Sequence, residues 1–172
     1  YGVLDVINSG SAMELDKETI AFIKEVVKEK KIHTLWFEAH YMYRKKLASF
    51  AEQFAPAKVK FRCGVETFDT TLREAWKKGI PSSVSVQDIA QHFQGICLLC
   101  CTQGETKEHI QKDIELARAH FEYFSVNVFC DNHTPIKQDK ELASWFAKEV
   151  YPMIKDDPRI EVLMENTDLG VG

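Results

Sequence analysis

Six short apolar runs, at residues 3–7, 34–38, 61–67, 96–101, 124–130 and 160–164, alternate along the chain with stretches of helical periodicity. This alternation restricts the fold more than any other feature. A strand followed by a helix and another strand of the same sheet pairs in parallel, because a parallel neighbour needs a long crossover. Such crossovers are right-handed. Two architectures satisfy the order: a doubly wound sheet, and a barrel or part-barrel.

The helical stretches carry their own signals. One runs from Asp16 as N-cap to about Lys31, with Ile20, Ile23 and Val27 as its buried stripe and lysines in its last turn. A second spans 41–54, with Leu47, Phe50 and Phe54 on one side, and ends before Pro56. A third opens on the capping-box pattern of Thr71 and Glu74 and stops at Gly79, just before Pro81. Ser85 and Asp88 start a short extra helix; the next runs to about His120, and the last starts near Asp139. No linker or composition shift divides the chain, so residues 1–172 read as one domain, with 151–172 as a C-terminal extension strand and tail.

Alternation within the strands chooses between the architectures. Leu4 and Val6, Leu35 and Phe37, Phe61, Cys63 and Val65, and Val126 and Val128 form one apolar set. The opposite faces carry Asp5, Trp36 and Glu38, Arg62 and Glu66, and Ser125 and Asn127. A doubly wound sheet buries both faces under helices and needs both to be apolar. The expected fold is therefore α/β, an incomplete barrel around a polar chamber. The chain begins at Tyr1 and goes straight into a strand, which reads as a piece of a longer protein.

Candidate site residues lie where strands end. Ser9-Gly10-Ser11 follows the first strand and offers backbone N–H groups and hydroxyls to an anion, or simply caps the turn. Glu38 and Glu66 end neighbouring strands and either grip a ligand or pair internally with Arg62. Gly104-Glu105-Thr106 makes a turn and a helix start. His40 and His133 lie just past strand ends. Cys97 and Cys101 are expected on one face and Cys100 on the other, an arrangement that cannot converge on a metal ion. Five cysteines, an odd number mostly in apolar runs, read as reduced thiols in a cytoplasm. A net charge of -4 argues against a nucleic-acid-coating surface, and no run has the length of a membrane span. P-loop, nucleophile-elbow and HExxH patterns are absent from the sequence.

Taken as an ordered set, these pieces resemble the radical S-adenosylmethionine (radical SAM) superfamily. Cys63-Gly64-Val65-Glu66-Thr67, followed by Leu72-Arg73-Glu74 and Lys78-Gly79, resembles that family's "G-[IV]-E-[ST] … R … K-G" stretch. Gly104-Glu105-Thr106 is similar to its "P-G-E-T" turn, with Gln103 in place of the proline. Asn8-Ser9-Gly10-Ser11 resembles the "T-S-G-S-F-L-D" motif, and Glu38-Ala39-His40 an "E-[ST]-R" of an elongator-like subgroup. The resemblance implies a partial (β/α)6 barrel that binds SAM on a [4Fe-4S] cluster and cleaves it to a 5′-deoxyadenosyl radical. It implies cofactor contacts from Ser9, Gly10, Ser11, Glu38, Gly64, Glu66, Thr67, Gly104 and Glu105, and a substrate chamber lined by His40, Arg62 and Asn127. It also implies a reductant such as a flavodoxin or ferredoxin. The family's C-x3-C-x2-C cluster motif is not in the sequence, so by the resemblance the first strand and the cluster ligands that follow it are expected upstream of residue 1, and this piece alone is expected to be inactive. Two other readings fit the residues: a metal-dependent barrel lyase using Glu38 and Glu66, and a non-catalytic barrel that binds a partner.

Overall fold

The structure, a computed structural model, describes residues 2–8 and 10–165. Strands β1 (Val3–Val6), β2 (Thr34–Glu38), β3 (Lys58–Glu66), β4 (Gly95–Cys100), β5 (Tyr123–Val128) and β6 (Ile160–Leu163) form one sheet. All neighbours are parallel and the spatial order is the chain order, β1-β2-β3-β4-β5-β6. That order decides the architecture. When every step goes the same way and every crossover is right-handed, all crossovers fall on one face of the sheet. A doubly wound sheet has to reverse direction to cover its second face. The sheet curls into an incomplete barrel, helices outside and the other face inside.

The outer layer consists of α1 (Lys17–Glu29), α2 (Leu47–Ala51), α3 (Thr70–Ala75), α4 (Val86–Ala90), α5 (Lys107–His120), α6 (Lys140–Trp145) and α7 (Tyr151–Ile154). Helix α2 packs on β3, α5 on β4 and β5, and α7 on β6. The strand residues beneath them, including Leu35, Phe37, Cys63, Val65, Ile96 and Phe124, are wholly excluded from solvent. Phe37 is the centre of an aromatic cluster, with ring centroids 5.2 Å from Phe50, 5.2 Å from Phe54 and 6.4 Å from Phe61.

Several boundaries differ from the sequence reading. The cap of α3 is Asp69, whose carboxylate accepts from Leu72 N at 2.9 Å. Thr71 lies inside the helix, because Asp69 is the last residue in extended backbone and reaches the free N–H groups first. Helix α3 stops at Ala75, before Lys77 and Gly79 turn left-handed at φ 55 and 67. The 41–54 stretch is α-helical only over Leu47–Ala51 and is wound as 3₁₀ turns on both sides, Tyr41–Lys46 and Glu52–Phe54. Winding as 3₁₀ lengthens a segment to about 2.0 Å per residue, against about 1.5 Å in an α-helix. The described part of the expected extension is α7 and β6, and β6 is an integral strand paired to β5. Among the described residues no helix is long and apolar enough to cross a membrane.

Phe37→Ala removes the ring on which three others pack and leaves a cavity. It is expected to lower the free energy of unfolding by about 3–5 kcal/mol in urea denaturation.

Candidate functional site at the carboxyl ends of the strands

Parallel strands in α/β folds present their functional groups at their carboxyl ends. Here the arrangement depends on a bulge in β3. The register with β4 runs Gly64 to Cys97 and then Glu66 to Leu98, so Val65 is an extra residue. Glu66 follows it with φ 68, in left-handed backbone. A bulge bends a strand and re-aims the next side chain, and this one directs Glu66 into the chamber. Its Oε1 accepts from Lys78 Nζ at 2.7 Å. Glu38 enters from β2. The three groups converge above the bare backbone of Gly64. A Cβ there would lie 3.3 Å from Glu66 Oε1, 3.6 Å from Glu38 Oε1 and 3.8 Å from Lys78 Nζ.

Burial raises the pKa of Glu38, Glu66 raises it further by repulsion, and Lys78 opposes them. For Lys78 burial favours loss of the proton, but the attraction and hydrogen bond of Glu66, with Glu38 and Cys63 adding, more than offset it, and the net shift is upward. Lys78 therefore stays charged, and one ammonium serves two carboxylates. A cation of a ligand beside Glu38 would complete the set.

His40 braces Lys78. Its Nδ1 accepts from Met42 N at 3.1 Å, so its Nε2 carries the proton and donates to Lys78 O at 2.7 Å. Both ring nitrogens are thereby used on backbone, while the ring lines the smaller of two cavities.

Two cavities meet here. The smaller, of about 300 Å³, is lined by Asn8, Gly10, Ser11, Glu38, Gly64 and Lys78, among others. Asn8 Oδ1 and Ser11 Oγ are buried in its wall without a hydrogen-bond partner. Gly10 is tight, since a Cβ there would lie 2.6 Å from Glu14 Oε2. Glu14 folds back on this turn, accepting from Ser11 N at 3.3 Å and from the Tyr43 hydroxyl at 3.0 Å. Ser9 lies outside the described residues. The larger cavity, about 550 Å³, is lined by Glu66, Trp76, Lys78, Leu99, Asn127 and Phe129, among others. Asn127 Oδ1 is buried there without a partner. Lys78 belongs to both walls.

Other expected residues stand apart. Arg62 shares the inner face but lies four residues before Glu66, about 13 Å along a strand. It is buried, ion-paired with Asp5, and held near the rings of Trp36 and Tyr123 at 5.9 and 5.7 Å. It lines neither cavity and forms a floor, so Glu66 pairs with Lys78 instead of Arg62. Thr67 is fully buried and turns to Asp113 on α5, away from the chamber. Glu105 closes its own turn, accepting from Thr102 N at 2.7 Å and Thr102 Oγ1 at 3.0 Å, and burial pushes its pKa up to about 7. Neither it nor Gly104 lines either cavity. Cys101 leaves the strand with φ 67 and lies with its sulfur 3.7 Å from that of Cys100, not on the face of Cys97. His133 is exposed in the loop after β5. Among the described residues no group of three His, Cys, Asp or Glu is placed to hold a metal ion. Glu14 was not singled out in the sequence, and Lys78 only within a motif. A lysine at a helix end ordinarily reads as a partner of the helix dipole.

No protein-family model matches the chain, and no curated protein does. A solved structure does: the queuine lyase from Clostridium spiroforme bound to SAM and queuine. It is 39% identical with a TM-score of 0.92, and the match covers 99% of this chain and 74% of that one.

Glu105 yields a signed pH effect. Its pKa rises from 4.5 to about 7 on folding, so between those values the native state keeps a proton that the unfolded state releases. Stability then falls as pH rises through that window. Glu105→Gln does not titrate. Its stability relative to the natural protein is expected to rise from pH 4.5 to pH 7.5, by at most about 3 kcal/mol, in urea denaturation.

Proposed function

The chain belongs to the radical SAM superfamily, and we propose that it is the SAM- and substrate-binding barrel of an enzyme acting on queuine or a closely related base. The observation that carries the cofactor reading is the glycine-floored cleft of Glu38, Glu66 and Lys78. SAM is a zwitterionic amino acid with an added sulfonium, a ribose diol and an adenine. Glu38 and Glu66 suit its cationic end, and Lys78 suits its carboxylate. The unpartnered Asn8 Oδ1 and Ser11 Oγ await polar atoms at the same cavity. These residues fit SAM. When bound, SAM supplies the 5′-deoxyadenosyl radical that defines the superfamily.

The [4Fe-4S] cluster of such enzymes needs convergent thiolates. The described residues supply no such group, so its ligands are assigned outside them. A small electron-carrier protein is the expected reductant. The larger cavity is the proposed seat of the substrate. Trp76 and Phe129 offer flat walls to a fused-ring base, and Asn127 offers a carbonyl to its N–H groups. The likeness to the queuine lyase supports this choice of substrate class. The metal-dependent lyase reading is weakened by Lys78, whose ammonium lies 2.7 Å from Glu66, where a divalent cation would have to sit.

The full-length parent protein, reconstituted anaerobically with iron and sulfide and reduced, is expected to release 5′-deoxyadenosine from SAM and to consume queuine. Both are read by chromatography. Glu66→Gln should weaken SAM binding about tenfold to a hundredfold in calorimetry, because a hydrogen bond to a charged group contributes about 1.5–3 kcal/mol. Unchanged SAM affinity in that variant would overturn the cofactor reading. SAM cleavage without queuine turnover would overturn only the substrate.

A further inference from the structure

The left-handed backbone of Glu66 is one that a residue with a Cβ keeps only where its surroundings impose it. Lys78 holds the Glu66 side chain but does not reach the main chain behind it. The backbone immediately after Glu66 is held from the opposite side, by the outer helix α5. Asp113 Oδ1 accepts from Phe68 N at 3.0 Å. The hydroxyl of Thr67 also bonds to the Asp113 carboxylate, and accepts from Asp69 N at 3.0 Å. Asp69 in turn caps α3 through Leu72 N. The contacts are shielded from water, Thr67 being 0% and Asp113 6% exposed.

Asp113 is out of place as a packing residue. It shares the buried face of α5 with Ile110, Ile114 and Ala117. An ionisable group in such a position is unfavourable unless its hydrogen bonds are needed. We propose that Asp113 is a positioning residue for the cleft, holding the Thr67 and Phe68 backbone so that Glu66 keeps its left-handed, chamber-facing conformation. This rests on reading the cleft as a SAM site.

The proposal has a pH signature. Burial pushes the pKa of Asp113 up to about 6. Its surroundings are Asp69 and Arg73 from the α3 side, His109 on its own helix, Glu105 in the preceding turn and Cys100 on β4. Only the ionised carboxylate accepts from both Phe68 N and the Thr67 hydroxyl without offering a proton of its own. Below about pH 6 the neutral carboxyl keeps one carbonyl oxygen for Phe68 N, as an amide would, so the clamp weakens by no more than about threefold in SAM affinity.

The test uses the full-length protein and two readouts: SAM affinity by calorimetry from pH 5.5 to 8, and amide hydrogen exchange over residues 66–69 without ligand. Asp113→Ala is expected to speed exchange at Phe68 about tenfold, to leave exchange in β5 unchanged, and to weaken SAM binding about tenfold. Asp113→Asn keeps a carbonyl for Phe68 N. It should bind SAM at pH 8 within about threefold of the natural protein, and lack the part of the decline below pH 6 that belongs to Asp113. Unchanged Phe68 exchange or unchanged SAM affinity in Asp113→Ala would overturn the proposal. If Asp113→Ala does not fold, the pH profile of Asp113→Asn decides, and a profile parallel to the natural one overturns it. A natural protein that binds no SAM overturns the cofactor reading instead, and Phe68 exchange then decides the clamp alone.

Discussion

Right-handed crossovers, repeated without a reversal of strand order, put every helix on one side of the sheet. The other side has no cover of its own. A curled sheet in this state must fill its concave face with side chains or keep it for a ligand. Here the lower part of that face is filled and the upper part is not. Arg62 bridges from β3 to Asp5 on β1, with the rings of Trp36 and Tyr123 beside it, and Tyr123 donates to Glu161 on β6. This floor ties strands from β1 to β6 together through polar contacts. Above it, the side chains shrink to Gly64 and the polar atoms lose their partners.

The unfilled part is electrostatically incomplete. Glu38, Glu66 and Lys78 lie together in a poorly hydrated cleft, two carboxylates to one ammonium. Buried charge is tolerated when it is paired. Lys78 takes Glu66 at hydrogen-bond distance, which leaves Glu38 as the group that a ligand cation would relieve. Position is controlled from several directions. His40 holds the Lys78 backbone, Gly64 leaves the space, and the β3 bulge aims Glu66.

Much of the fold was legible in the chain, for specific reasons. Alternation of period identifies the six strands and their parallel pairing, because side-chain direction follows from backbone geometry alone. The apolar set of Leu35, Phe37, Cys63 and Val65 and the polar set of Glu38, Arg62 and Asn127 fall on the expected faces for the same reason, whereas Glu66 reaches its expected face through the bulge at Val65. Boundaries were less legible where local choices compete. Asp69 and Thr71 are both good caps, and only the path of the turn after Glu66 chooses between them.

The site divides along the same line. Sequence by itself determined which residues share a face and which lie at strand ends, since both depend on counting along one strand. Tertiary structure decided the distances between strands and the depth along them. Arg62 and Glu66 have the same parity, yet one is floor and the other is cleft. Glu105 and Thr67 stand in the right motifs but turn to their own backbone and to Asp113, because a buried polar group satisfies the nearest donor. Lys78 and Glu14 reach the site from a loop and from a short 3₁₀ turn whose paths no periodicity describes, so their roles exist only once the chain has closed around them.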